Sequence, residues 1–337
     1  MPTRTKTATR RDSYHLTMNI PVEWWSGTDT MQTERLRANR RRWLRDAAKA
    51  EWKHLKKARQ AWFVERFVAL IAVAYPQQTD IFPARAAETV KPIIDAGSDV
   101  GLWPDDDSGH RCSTVYIESP FPAPVNHYQL IITIIPVPDR NPRYQIAGSL
   151  GQAITRQWAD APDRPSWDEG YMLRFTIPYQ LWITSNYTDS DLIARQNGKK
   201  RAETWGRGNT LGVRERVTRR LQEHIVPQWV RQPFCRYDRY IIIACVAYPA
   251  NVDRADPDNA AETVNAILKA GVQTGAWDSL SFSHCKGVAF IRMPNLPQHN
   301  TYGVNLIVLP APERFILPAT LSDSVAAAWA ERDRRRA

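Results

Sequence analysis

Two short acidic motifs mark where this chain could do chemistry. The first is Asp256-Pro257-Asp258-Asn259, directly before an apolar stretch with helical spacing. The second is Asp105-Asp106-Asp107, just after a similar stretch. Carboxylates close in sequence are hard oxygen ligands suited to Mg²⁺ (or Mn²⁺), which is typically held by one or two carboxylates plus substrate phosphate. A metal held this way activates water and stabilises in-line displacement at phosphorus. Each motif alone also has a plain structural use. DPDN is a good turn and N-cap sequence, and DDD is an ordinary acidic loop.

The elements that must position these residues occur twice. AETVKPIIDAGSDVGLW (87–103) matches AETVNAILKAGVQTGAW (261–277). At a fixed shift of 174, residues 86–140 align without gaps to 260–314, and roughly a third of the positions are identical. His110 falls on His284, Tyr128 on Tyr302 and Trp103 on Trp277. VAYP recurs at 73–76 and 246–249, and Leu44–Trp62 is matched to Leu211–Trp229. A fixed-period repeat is the first thing to settle in any chain. Here it implies two domains, 1–160 and 168–337, joined by a linker at 161–167 within DAPDRPSW. The simplest arrangement is an intramolecular pseudo-dimer.

Each copy predicts the same elements. A short strand ends in Ile-Pro, and a basic helix follows. Leu44, Ala48, Trp52 and Leu55 recur at helical spacing in copy 1, as do Val213, Val217, Leu221 and Ile225 in copy 2. An apolar strand comes next, then the AETV helix, expected to stop near Gly97 or Gly271, then two more strands. A final helix carries Trp158 or Trp329. The order reads as α+β, with a small mixed sheet and flanking helices in each domain.

D-x-D-N, a helix, then D-D and a nearby His resembles the RusA-type crossover-junction (Holliday junction) endodeoxyribonucleases, in the form found in phages and prophages of high-GC Gram-positive bacteria. The resemblance covers most of each copy and is most specific at 75–120 and 248–294. It implies a dimeric, Mg²⁺-dependent nuclease that cuts four-way DNA, with aspartates of D-x-D and D-D as catalytic and metal-binding residues and a lysine assisting. On this chain those positions are Asp256, Asp258, Asp105, Asp106 and Lys91, with Asn259, His110 and His284 as further candidates. Neither copy holds the whole set. Asp256, Asp258 and Asn259 fall on Phe82, Ala84 and Arg85; Asp105 and Asp106 fall on Ser279 and Leu280; Lys91 falls on Asn265.

Complementary losses predict one composite site. If the two AETV helices pack antiparallel, the start of one lies beside the end of the other. Asp256 and Asp258 then meet Asp105 and Asp106 in trans, and the opposite site is dead. The chain between Gly97 and Asp105 is also long enough, at ~3.3 Å per residue, to double back in cis, in which case neither copy has a complete site; the trans arrangement leaves Lys91, mid-helix, to be placed. His110 and His284 also read as structural residues. Glu88 and Glu262, shared by both copies, read as solvated or helix-dipole residues.

Charge points to a polyanionic partner. The chain carries 45 Lys and Arg against 35 Asp and Glu; residues 1–66 hold 16 against 7. Arg35, Arg37, Arg40, Arg41, Arg42, Lys53, Lys56 and Lys57 are expected to track one phosphate backbone, and Lys199, Lys200 and Arg201 another. The expected partner is branched double-stranded DNA. No apolar run approaches the ~20 residues that span a bilayer, and the four cysteines form no CxxC pair, which together read as a cytoplasmic protein with free thiols. No Walker motif, GxGxxG or zinc-type spacing supports another enzyme class. The competing expectations are a catalytically inert protein that binds branched DNA and a protein-interaction module.

Overall fold

The computed structural model describes residues 11–27, 33–76, 81–119, 121–138, 170–184, 186–197, 212–252, 255–311 and a few positions between 326 and 334. The join at 161–167, the N-terminal arm, Trp158 and the Lys199–Arg201 cluster lie outside them. The described residues form α+β structure around one mixed sheet of eight strands.

The strands are β1 (Tyr14–Pro21), β2 (Phe67–Ala74), β3 (Arg111–Glu118) and β4 (His127–Pro136), then β5 (Tyr171–Pro178), β6 (Tyr240–Ala247), β7 (Cys285–Arg292) and β8 (Thr301–Pro310). Their order is β1-β4-β2-β3-β7-β6-β8-β5. Outward from the centre, each half therefore repeats the order of the other. β2 and β6 (FVALIAVA, YIIIACVA) are buried at all eight positions, as strands covered on both faces must be. The edge strands β1 and β5 alternate buried and exposed, the period-2 signature of a half-solvated strand.

The halves meet where β3 pairs antiparallel with β7. Val115 stands opposite Ala289, Ser113 opposite Ile291 and Ile117 opposite Gly287. Val115 and Ala289 are counterparts under the 174 shift, and the flanking pairs exchange counterparts. An approximate two-fold axis through Val115 and Ala289 gives this register. β2–β3 and β6–β7 are parallel. Parallel neighbours need a crossover, supplied by α2 (Ala87–Asp99) and α5 (Ala261–Gln273).

α1 (Glu34–Lys57) starts at Thr33, whose hydroxyl accepts from the Leu36 N–H, and buries Leu44, Ala48 and Trp52. α3 (Asp189–Asn197) precedes α4 (Val213–Val230), which buries Val217, Leu221, Ile225 and Trp229. The Trp52 indole donates to the Ile93 carbonyl at 3.0 Å, and the Trp229 indole to Ile267 at 2.9 Å. Trp52 and Trp229 are thus counterparts, which corrects the match of Trp62 with Trp229. α1 runs on to Lys57 past its Trp, whereas α4 ends one residue after Trp229.

The AETV helices stop near the expected glycines, two residues past each, at Asp99 and Gln273. Gly97 and Gly271 lie inside α2 and α5, where a Cβ would come within 1.9 Å of the Trp103 ring and 2.7 Å of the Trp277 ring. The chain turns later, at Gly101 (φ 68°) and Gly275 (φ 76°), in the left-handed region glycine favours.

The helices cover one sheet face in a core shared by both halves. A second apolar layer on the other face includes Val68, Val115, Ile243, Ile291 and Trp329, whose indole donates to the Pro136 carbonyl at 3.0 Å. The four cysteines are free, and Cys112, Cys245 and Cys285 are buried. Among the described residues no helix is long and apolar enough to cross a membrane.

If Trp52 and Trp229 are counterparts, Trp52→Phe and Trp229→Phe each remove one buried hydrogen bond and some volume. Each is expected to cost about 1–3 kcal/mol in urea unfolding. A cost confined to one of them would contradict their equivalence.

Candidate functional site

The DPDN motif folds as a single 3-10 turn, Pro257–Ala260, with Asp256 as its N-cap. Proline at the first position suits such a start. The turn packs on β3 of the other half, and the first turns of α2 and α5 face each other. Ala87, Glu88, Lys91, Asp258, Asn259, Ala261 and Glu262 line one small cavity between them. The helices therefore meet start to start, not start to end as expected. The loop after α2 doubles back, so that Asp106 comes close enough to Asp95 on α2 for its charge to act on the Asp95 carboxyl. The DPDN turn reaches Asp106 of the other half, but through helices that meet start to start rather than through the antiparallel start-to-end packing expected.

The result is a mixed-charge cluster drawn from both halves. Lys91 forms an ion pair with Asp256 and donates to Asn259 Oδ1 at 3.2 Å. Arg111, the first residue of β3, is fully buried at the centre. Its Nη2 lies 3.3 Å from Asp106, 3.1 Å from Asp258 and 3.8 Å from Asp256. One nitrogen thus touches all three carboxylates, which keeps them closer than the ~8 Å that would be too wide to bracket two ions ~4 Å apart. The Tyr116 hydroxyl donates to Asp258 Oδ2 at 2.6 Å. Nearby, Arg292 is buried and donates to Ser108 at 3.0 Å.

Burial and charge pull these groups in opposite directions. Burial disfavours the Arg111 cation, but Asp258, Asp106 and Asp256 outweigh it and hold the guanidinium firmly charged. Burial likewise opposes the Lys91 cation, and Asp256, Asp95 and Asp106 together more than compensate. Burial raises Asp256 against the pull of Lys91 and Arg111. Burial also works against Asp106, yet Arg111 and Lys91 keep its carboxyl below the usual range. Asp95 is pushed up to about 7, by burial first and by the Asp106 charge second.

The residues fit a divalent cation in kind. Asp106, Asp256 and Asp258 offer hard oxygens. The buried Asp258 Oδ1 makes no hydrogen bond, and Arg111 already stands among the three as a resident cation. Among the described residues no three acidic, His or Cys side chains are arranged so that they could together hold a metal ion. At this site the guanidinium occupies the space between them.

The counterpart positions carry the reverse chemistry. Where the site has Asp256, Asp258, Asp106, Arg111, Tyr116 and Ser108, the opposite side has Phe82, Ala84, Leu280, Cys285, Phe290 and Phe282. All six are buried in the shared core. The Phe282 and Tyr75 rings pack edge to face at 5.6 Å. One side is an ionic centre and the other an apolar plug. Lys269 stands in place of Asp95, a reversal of charge.

Several expected residues lie elsewhere. Asp105 is exposed, and its Oδ1 accepts from the Asp106 N–H at 2.8 Å, so it shapes the loop. His110 Nδ1 contacts the Glu65 carbonyl at 2.9 Å and His284 Nδ1 the Asp238 carbonyl at 2.7 Å. Both histidines tie a loop to the segment before a strand. Glu88 and Glu262 are buried, not solvated. Arg41 pairs with Glu88 at 2.7 Å, Arg214 pairs with Glu262, and Arg37 bridges both at 3.5 and 3.7 Å. The basic helix is thus partly committed to the fold. Lys56 donates to the Val100 carbonyl at 2.6 Å, closing the end of α2, and Arg40 is half-buried. Arg35, Arg42, Lys53 and Lys57 are exposed and make no ion pair among the described residues. The unforeseen members of the site are Arg111, Asp95 and Tyr116. Each has a counterpart of different character, the same signal that exposed the aspartates.

No protein-family model and no curated protein matches the chain.

Two measurements test this description. Leu280→Asp places an unpaired carboxylate in the plug and is expected to cost about 3 kcal/mol or more in chemical denaturation. Asp95 has a folded-state pKa above its unfolded value of about 4. The stability it contributes is therefore full below pH ~4 and is lost as pH rises through about 7. Asp95→Asn is expected to flatten the stability profile across that window.

Proposed function

We propose that the chain is a tandemly duplicated, RusA-like endodeoxyribonuclease for four-way and other branched DNA, an intramolecular pseudo-dimer with one composite centre acting in the cytoplasm. The observation that carries this reading is the meeting of Asp256 and Asp258 with Asp106 and Lys91 across the β3–β7 axis. Residues lost from each half are supplied by the other, and the opposite side is packed shut.

Asp256, Asp258 and Asp106 would hold Mg²⁺ (or Mn²⁺), which when bound activates water and stabilises charge at phosphorus. Lys91 would neutralise Asp256 and offer a cation toward substrate phosphate. Asn259, held by Lys91 and by Asn186 at 3.2 Å, orients the turn that presents both aspartates. Arg35, Arg42, Lys53 and Lys57 are the cations of α1 best placed for phosphate backbone, giving affinity with little sequence information. A second reading, an inert binder of branched DNA, is favoured by the guanidinium among the carboxylates.

Cleavage of a labelled four-way junction with Mg²⁺ or Mn²⁺ separates the two. Asp256→Asn and Asp106→Asn are each expected to lower cutting at least ~100-fold while junction affinity changes only a few-fold. Tight, salt-sensitive binding without cutting at either metal would instead select the inert binder. Absence of nucleic-acid affinity at low salt would leave a protein-interaction module. Replacing Arg35, Arg42, Lys53 and Lys57 singly by Gln is expected to reduce the slope of log affinity against log salt by about one unit for each cation that meets a phosphate.

A further inference from the structure

We propose that Arg111 is a built-in counter-cation that competes with a divalent metal for Asp106, Asp256 and Asp258, so that the centre is assembled without metal and opens to metal only when Nη2 is displaced. This rests on the reading of the composite site as a metal centre.

The argument begins with how the guanidinium is divided. Nε donates to the Asp106 carbonyl at 3.0 Å and Nη1 to the Thr114 hydroxyl at 3.2 Å. These two bonds anchor the plane. Nη2 alone serves the carboxylates of Asp106, Asp256 and Asp258. The planar fork is rigid, so Nη2 cannot leave without straining or breaking the two anchors. The side chain is fully buried, with no solvent into which the charge can swing.

The need for such a cation is electrostatic. Asp106, Asp256 and Asp258 are crowded at the junction of the two halves, where three unpaired carboxylates would repel strongly. Lys91 is committed to Asp256 and Asn259. Without Arg111 the DPDN turn would be held against the other half only by Tyr116 on β3 and by Lys91. On the plugged side, where the carboxylates are gone, the residue at this position is Cys285 and the charge is gone with them. Cation and carboxylates thus occur together on one side and are absent together on the other. The arrangement predicts weak metal binding, since an incoming ion must replace a ligand that is already in place.

The test is Mn²⁺ binding, followed by electron paramagnetic resonance and by the metal dependence of the melting temperature, on the full chain and on Arg111→Met. The variant keeps bulk in the cavity and removes the competitor. It is expected to bind Mn²⁺ at least about tenfold more tightly than the wild type. Its melting temperature should rise with Mn²⁺ more than the wild type's, because the ion then supplies the missing charge. The melting readout remains useful if the metal-free variant is partly unfolded, since the metal should restore it. Arg111→Lys, which keeps a cation but loses the divided fork, should fall between the two. Equal Mn²⁺ affinity in the wild type and Arg111→Met overturns the competition and leaves the metal centre standing. No Mn²⁺ binding by either protein overturns the metal centre itself.

Discussion

The antiparallel pairing of β3 with β7 is the constraint on which everything else depends. It sets Val115 against its own counterpart Ala289 and so fixes an approximate two-fold axis through the middle of the sheet. A sheet register cannot slip by one residue without turning every side chain to the wrong face. The axis is therefore as well determined as the two apolar layers that flank it. Once it is fixed, the first turns of α2 and α5 must face each other. The DPDN turn then has only one place to go, against the start of β3 in the opposite half.

That geometry explains why polar and apolar character divide so sharply. The same axis generates two equivalent places, but the chain fills them from different residues. One is stabilised by ion pairs around Arg111, with Tyr116 and Lys91 satisfying carboxylate oxygens. The other is stabilised by packing of Phe82, Leu280, Phe282 and Phe290. Burying several charges carries a large desolvation cost that only close pairing offsets; filling the same space with aromatic and aliphatic groups avoids it. The plug therefore supports the shared core, while the ionic centre draws its order from electrostatics. The buried Glu88 and Glu262, with Arg37, Arg41 and Arg214, tie α1 and α4 onto the same axis.

Much of this is legible in the sequence because the internal repeat is a strong pattern. The strand runs FVALIAVA and YIIIACVA and the AETV helices follow from aligning the chain with itself; the approach of Asp256 and Asp258 to Asp106 did not, since the alignment left a cis and a trans arrangement open and the helix packing invoked for the trans one is not the packing found. The register of the basic helices did not follow, because α1 and α4 share only Arg37/Arg214, Arg42/Arg219, Leu44/Leu221 and Trp52/Trp229, at a shift that differs from 174, and run different distances past the Trp. Gly97 and Gly271 marked the helix ends to within two residues, but for another reason: they admit a tryptophan ring. Arg111 is not part of either acidic motif, and its only mark in the sequence is the change of character at its counterpart, Cys285. The ion pairs of Arg37 and Arg41 could not be read from charge alone, since a basic helix looks the same whether it faces solvent or a buried glutamate.

The apolar plug has a meaning that concerns how such a protein can change. In an assembly of two identical chains, a substitution at the centre appears on both sides at once, and neither side can be given up while the other is kept. Joining the halves in one polypeptide lifts that restriction. Phe82 and Ala84 can stand on one side while Asp256 and Asp258 stand on the other, because each is specified by its own codon. The fused chain can thus trade one of its two places for packing and hold the other constant, a division of labour closed to a symmetric pair.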